Sequence, residues 1–79
     1  MVNKSNKNLY KPFIKEMREK FNKESKKHGN SWKTVEIYKL RCFLKEHVDK
    51  WLDNDDSKQE IFDLLDIANY CMMIFNRLK

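Results

Sequence analysis

The chain has 79 residues, one Gly, one Pro, two Cys and a net charge of +5. That length allows one small domain at most. A single glycine excludes a glycine-rich phosphate loop, and two cysteines with no C-x-x-C spacing exclude a zinc ribbon.

The charge is unevenly placed. Residues 1–28 hold nine Lys/Arg against three acids, and residues 29–79 hold eight against nine. A basic N-terminal region is expected either to contact nucleic acid or nucleotide phosphates, or to be a solvated lysine-rich helix. Residues 1–8 read as a flexible basic tail and residues 9–79 as one domain. The N-terminus is polar without an apolar run, and the apolar stretch at 61–75 is interrupted by acids. Neither a secretory leader nor a membrane span is expected. Cys42 and Cys71 read as free thiols, which together with these features suggests a cytoplasmic protein.

Few turn formers and regular apolar spacing predict an all-α chain of three antiparallel helices. Pro12 suits the first turn of helix one. Tyr10, Phe13, Ile14, Met17 and Phe21 recur along it at helical spacing, and His28 continues the row. Gly29 is placed to end it as the residue after the cap, and Asn30 or Ser31 to cap the next.

Helix two is expected from about Trp32 to Leu52. Ile37, Leu40, Leu44, Val48 and Trp51 form one apolar stripe. Val35, Tyr38 and Cys42 form another, which Glu46 and Asp49 continue. After the turn D-N-D-D at 53–56, Ser57 and Glu60 make an S-x-x-E capping box. It opens a third helix over 57–78. Ile61, Leu65, Ala68, Met72 and Phe75 form its main core side, and Asp63, Asp66, Tyr70, Met73 and Arg77 the other. The third helix is apolar on too many sides for a small monomer. A homo-dimer or homo-tetramer that completes a helical bundle is therefore expected.

Four acids carry the functional reading. Glu46 and Asp49 (E-H-V-D) and Asp63 and Asp66 (D-L-L-D) are two i, i+3 pairs on neighbouring helices. Each pair projects two carboxylates from one helix face. The second pair interrupts the most apolar run in the chain, where an acid costs free energy unless compensated. Mg²⁺, with Mn²⁺ as a substitute, would compensate it, since it takes hard oxygen ligands and substrate phosphates. The other reading is that the acids are solvated or paired with lysines.

Other residues carry the same double reading. Asn69 is placed to hydrogen-bond a base or a neighbouring backbone. Tyr70 can stack on a base or pack in the core. Arg77 can clamp phosphate or be solvated. Trp32 and Lys33 can line a pocket rim, or Trp32 can pack a helix start.

The run E-H-V-D, a spacer, then D-L-L-D-I-A-N-Y-C-M-M-I, resembles the MazG-like nucleotide pyrophosphohydrolases of the all-α NTP pyrophosphatase superfamily. Their mark is E-x-x-E, a spacer and E-x-x-D. The upstream K-H-G-N-S-W at 27–32 also resembles the lead-in of some members. Asp49 and Asp63 stand where Glu is usual in that pattern. The resemblance implies hydrolysis of a nucleoside triphosphate to monophosphate and pyrophosphate. It also implies Mg²⁺ held by Glu46, Asp49, Asp63 and Asp66, in an oligomeric bundle. The alternative is a non-catalytic basic helical oligomer that binds nucleic acid or a protein partner.

Overall fold

The computed structural model describes the backbone of residues 2–79 and the side chains from residue 8 onward. Helices α1 (Val2–His28), α2 (Ile37–Asp53) and α3 (Ser57–Leu78) follow one another, with a single 3₁₀ turn at Ser31–Lys33 between the first two. No strand occurs among the described residues. The all-α expectation holds.

α1 begins well upstream of Pro12, which lies inside the helix instead of in its first turn. Proline costs a helix one backbone bond. Around Pro12, Leu9, Tyr10, Phe13 and Ile14 are all exposed. Among the described side chains of α1, those that pack are Met17, Lys20, Phe21, Glu24 and Ser25, which are half-buried. Gly29 then stops the helix as its spacing predicts. Its φ is +73°, the left-handed region, and its N–H donates to the Ser25 carbonyl at 2.7 Å.

α2 starts five residues later than the sequence predicts. Trp32 and Lys33 belong to the 3₁₀ turn, and Glu36 is the N-cap residue of α2. The cause lies at the other end of the molecule. The Arg77 guanidinium donates to the carbonyls of Trp32 and Val35, which a continuous helix would have used internally.

α3 has the predicted span, but its cap differs. Asp56, not Ser57, is the N-cap, and its carboxylate accepts from the Lys58 N–H at 3.0 Å. Glu60 is thereby released from the capping box and accepts from the Trp51 indole N–H at 2.9 Å.

α3 is the central element. α1 and α2 each pack on it, far more than on each other. The Trp51–Glu60 bond, the His47–Asp66 approach and the Phe43–Tyr70 ring contact set α2 antiparallel to α3. Leu40 and Leu65 form the small fully buried core, joined by Asp63 and Asn69. Ile61 and Phe75, expected in that core, are more than half exposed. No described helix is long and apolar enough to cross a membrane.

Candidate functional site

Because α1 and α2 lean on α3 and not on each other, a cleft of about 560 Å³ opens between them. This is a usual size for a small-molecule site. α3 forms its floor with Asp66, Asn69, Tyr70 and Met73. α1 supplies Lys20, Phe21 and Glu24. α2 supplies Leu40, Phe43 and His47, and the 3₁₀ turn closes one end with Trp32.

The two ends of the cleft differ in chemistry. One is aromatic: Phe21 and Trp32 meet edge to face at 6.1 Å between ring centres. The other is ionic. The Lys20 ammonium lies 3.0 Å from one oxygen of Asp66, with both side chains about four-fifths buried. His47 Nδ1 lies 3.7 Å from the other oxygen, too far for a hydrogen bond. Tyr70 lies alongside, its ring 5.0 Å from the His47 ring. Burial pushes the Tyr70 phenol above its ordinary range, and the negative charges of Asp66, Glu24 and Glu46 add to that.

Three buried polar atoms in this cleft have no hydrogen-bond partner: Trp32 Nε1, His47 Nδ1 and Asn69 Oδ1. The Asn69 amide is fixed in orientation, because its Nδ2 donates to the Met17 carbonyl at 3.1 Å. An unmet buried polar atom costs about 1–3 kcal/mol. Three on one concavity mark a surface short of a polar partner.

The acidic pairs divide differently from the sequence expectation. They share a level of the α2–α3 pair but not a face. Glu46 and Asp49 are exposed, and Asp49 pairs with Lys45 at 2.9 Å. That contact raises the Lys45 pKa, first through the hydrogen bond and then through the charge of Asp49. Asp63 is only 2 % exposed. Its two oxygens accept from the amides of Asn54 and Gln59 at 3.2 and 3.1 Å. Asp66 alone enters the cleft. Among the described residues no three His, Cys, Asp or Glu side chains converge in a metal-holding group. As arranged in one chain, the four carboxylates do not fit a common Mg²⁺.

Of the other candidates, Trp32, Asn69 and Tyr70 line the cleft. Arg77 is committed to two backbone carbonyls. The Lys33 ammonium lies 5.9 Å from the centre of the Trp32 ring. The sequence reading selected neither Lys20 nor His47. His47 lines the cleft, while Glu46 and Asp49 lie outside it and are exposed. The signal was present in the spacing: Leu40, Phe43, Leu44 and His47 form one helical row, as do Met17, Lys20, Phe21 and Glu24.

Comparison of the chain with protein-family models, curated proteins and solved structures gives no match.

Proposed function

We propose that the chain is a nucleotide-binding protein of the MazG-like kind, and that the three-helix cleft is where the nucleotide sits. The observation that carries this reading is the cleft itself: aromatic rings at one end, an ionic cluster at the other, and three unpartnered polar atoms between the walls. Asp66 and Trp32 mark the two ends. The Trp32 carbonyl is held by Arg77, eleven residues beyond Asp66 on the same helix, so Trp32 lies on the C-terminal side of Asp66 along α3. A base stacked near Trp32 and Phe21 would send its phosphates toward Lys20 and His47. Asn69 Oδ1 offers an acceptor, and Trp32 Nε1 a donor, to polar groups of the base or sugar.

The reaction class comes from the sequence resemblance: hydrolysis of a nucleoside triphosphate to monophosphate and pyrophosphate. Mg²⁺, or Mn²⁺ in its place, enters with the phosphates in this reading. The experiment is a panel of nucleoside triphosphates with Mg²⁺, read by pyrophosphate release and by calorimetric binding. Release from at least one triphosphate is expected, and Asp66→Asn should abolish it while the far-ultraviolet dichroism stays unchanged. Binding without release would remove the hydrolase and leave the binding protein. Neither binding nor release with any nucleotide overturns the reading.

One observation favours a second partner. Lys11, Lys15, Arg18 and Asn22 follow one another along the exposed side of α1 and, with Ile14 and Glu19, line a shallow depression. Their i, i+4, i+7 spacing makes a basic stripe suited to a phosphate backbone. Retention on single- or double-stranded nucleic acid that falls steeply between low and moderate salt would support it. Salt-independent behaviour or no retention would exclude it.

A further inference from the structure

We propose that Lys20 is the phosphate-binding residue of the cleft, and that Asp66 holds it in place until an anion arrives. This rests on the nucleotide reading above and deepens it at Lys20, toward which that reading directs the phosphates. Lys20 comes from α1, while its carboxylate partner comes from the floor of the cleft on α3. The pair, 3.0 Å apart and each about one-fifth exposed, is neither buried beyond reach nor free in solvent.

Several contacts hold the ammonium at this point. Glu24 Oε2 lies 3.9 Å away on the same helix face. The Phe62 ring lies 5.8 Å away on the α3 side. Glu24, the Phe62 ring and Asp66 thus surround the ammonium where Lys20 lines the cleft. His47 approaches Asp66 from α2 on the side opposite Lys20. An incoming polyphosphate competes with Asp66 for the same ammonium, offering several anionic oxygens against one carboxylate.

This arrangement makes the two members of the pair act with opposite sign. In metal-free buffer, Asp66 repels a polyphosphate and occupies its binding cation. Removing the Asp66 charge should therefore raise polyphosphate affinity, while removing the Lys20 charge should lower it. A salt bridge that only fastens α1 to α3 predicts something else: both substitutions loosen the cleft, and affinity moves the same way in both.

The probe is inorganic triphosphate in EDTA, measured calorimetrically on the full chain. The expected result is a gain of at least about fivefold in Asp66→Asn, on the scale of one charge interaction at a partly solvated site. Lys20→Met should lose affinity by a similar factor, and Lys20→Arg should stay near the unaltered chain. Should Lys20→Met fail to fold, as judged by circular dichroism, the Asp66→Asn gain and Lys20→Arg retention still decide. Equal losses in Asp66→Asn and Lys20→Met overturn the proposal, as does no change in Asp66→Asn. Because the probe has no base and no metal, this outcome is separate from the nucleotide panel. A chain that fails with every nucleotide can still show the opposite-sign pair, and one that binds nucleotides can lack it.

Discussion

Asp63 shows how a residue can be identified correctly as unusual and still have its surroundings misread. Its place in an apolar run signals compensation, and the structure supplies it: two side-chain amides, one to each oxygen. Sequence spacing can show Gln59, four residues upstream on the same helix, but not Asn54, which lies in the interhelical turn nine residues away. The two donors are not equivalent. The Asn54 Oδ1 accepts from the Asp56 N–H at 2.9 Å, so this amide is fixed. Gln59 has no such second tie and can rotate its amide to present an oxygen. Asp63→Asn should therefore be absorbed at a cost below about 1 kcal/mol in a urea melt, whereas Asp63→Ala, which strands both donors, should cost about 2 kcal/mol. Equal costs would show that the two amides do not hold the carboxylate in this way.

Tyr70 gives a prediction in pH at the same scale. Its phenol is raised above the unfolded value of 10.0 by burial, then by Asp66, Glu24 and Glu46. A folded pKa above the unfolded one means that the unfolded chain loses its proton first as pH rises. The Tyr70 contribution to stability is therefore intact below pH 10 and declines above it. The fall in stability between pH 9 and 11 should be shallower in Tyr70→Phe than in the unaltered chain. An identical slope would show that the phenol is not shielded in the folded state.

At the level of elements, the number of helices and three of their ends were legible in the sequence. Gly29 and the 57–78 span follow from local rules: a positive-φ requirement, and an apolar period opened by an acidic turn. The start of α2 was not legible. Apolar spacing runs unbroken from Trp32, and only the distant Arg77 guanidinium draws the carbonyls of Trp32 and Val35 out of helical bonding. The cleft was half legible for the same reason. Trp32, Asn69, Tyr70 and Asp66 were selected by residue type, whereas Lys20 belongs to the site only because α1 crosses α3 at that point. Gly29 offers a clean test of the local rule. A Cβ there would meet no atom within 4 Å, so the cost of Gly29→Ala is purely conformational, about 1–2 kcal/mol. Gly29→Asn should recover part of it, because Asn tolerates the left-handed region. Equal stability of all three variants by urea denaturation would mean that the α1 stop is set by packing instead.

For the molecule as a whole, the surface is too large for its mass. A compact monomer of 9.7 kDa should expose roughly 5,100 Å². This chain exposes 6586 Å². Its radius of gyration is 13.9 Å, where about 11.6 Å is expected for its length. The excess surface is of the order that each partner buries in a stable interface. Exposed large apolar side chains lie on all three helices, among them Leu9, Tyr10, Phe13 and Ile14 on α1, Tyr38 and Leu52 on α2, and Ile61, Phe62, Phe75 and Leu78 on α3. Among the described residues Leu40 and Leu65 are the fully buried apolar side chains, a small core to set against the conformational entropy of three helices. We propose self-association, as a homo-dimer or homo-tetramer in which copies cover these faces. Light scattering at micromolar concentration should give a mass of two or four chains, and dilution should lower the melting temperature, since folding and assembly are then one equilibrium. Phe13→Glu should shift the mass toward one chain and lower the melting temperature together. A stable, concentration-independent monomer would mean that the exposed apolar faces are tolerated without a partner.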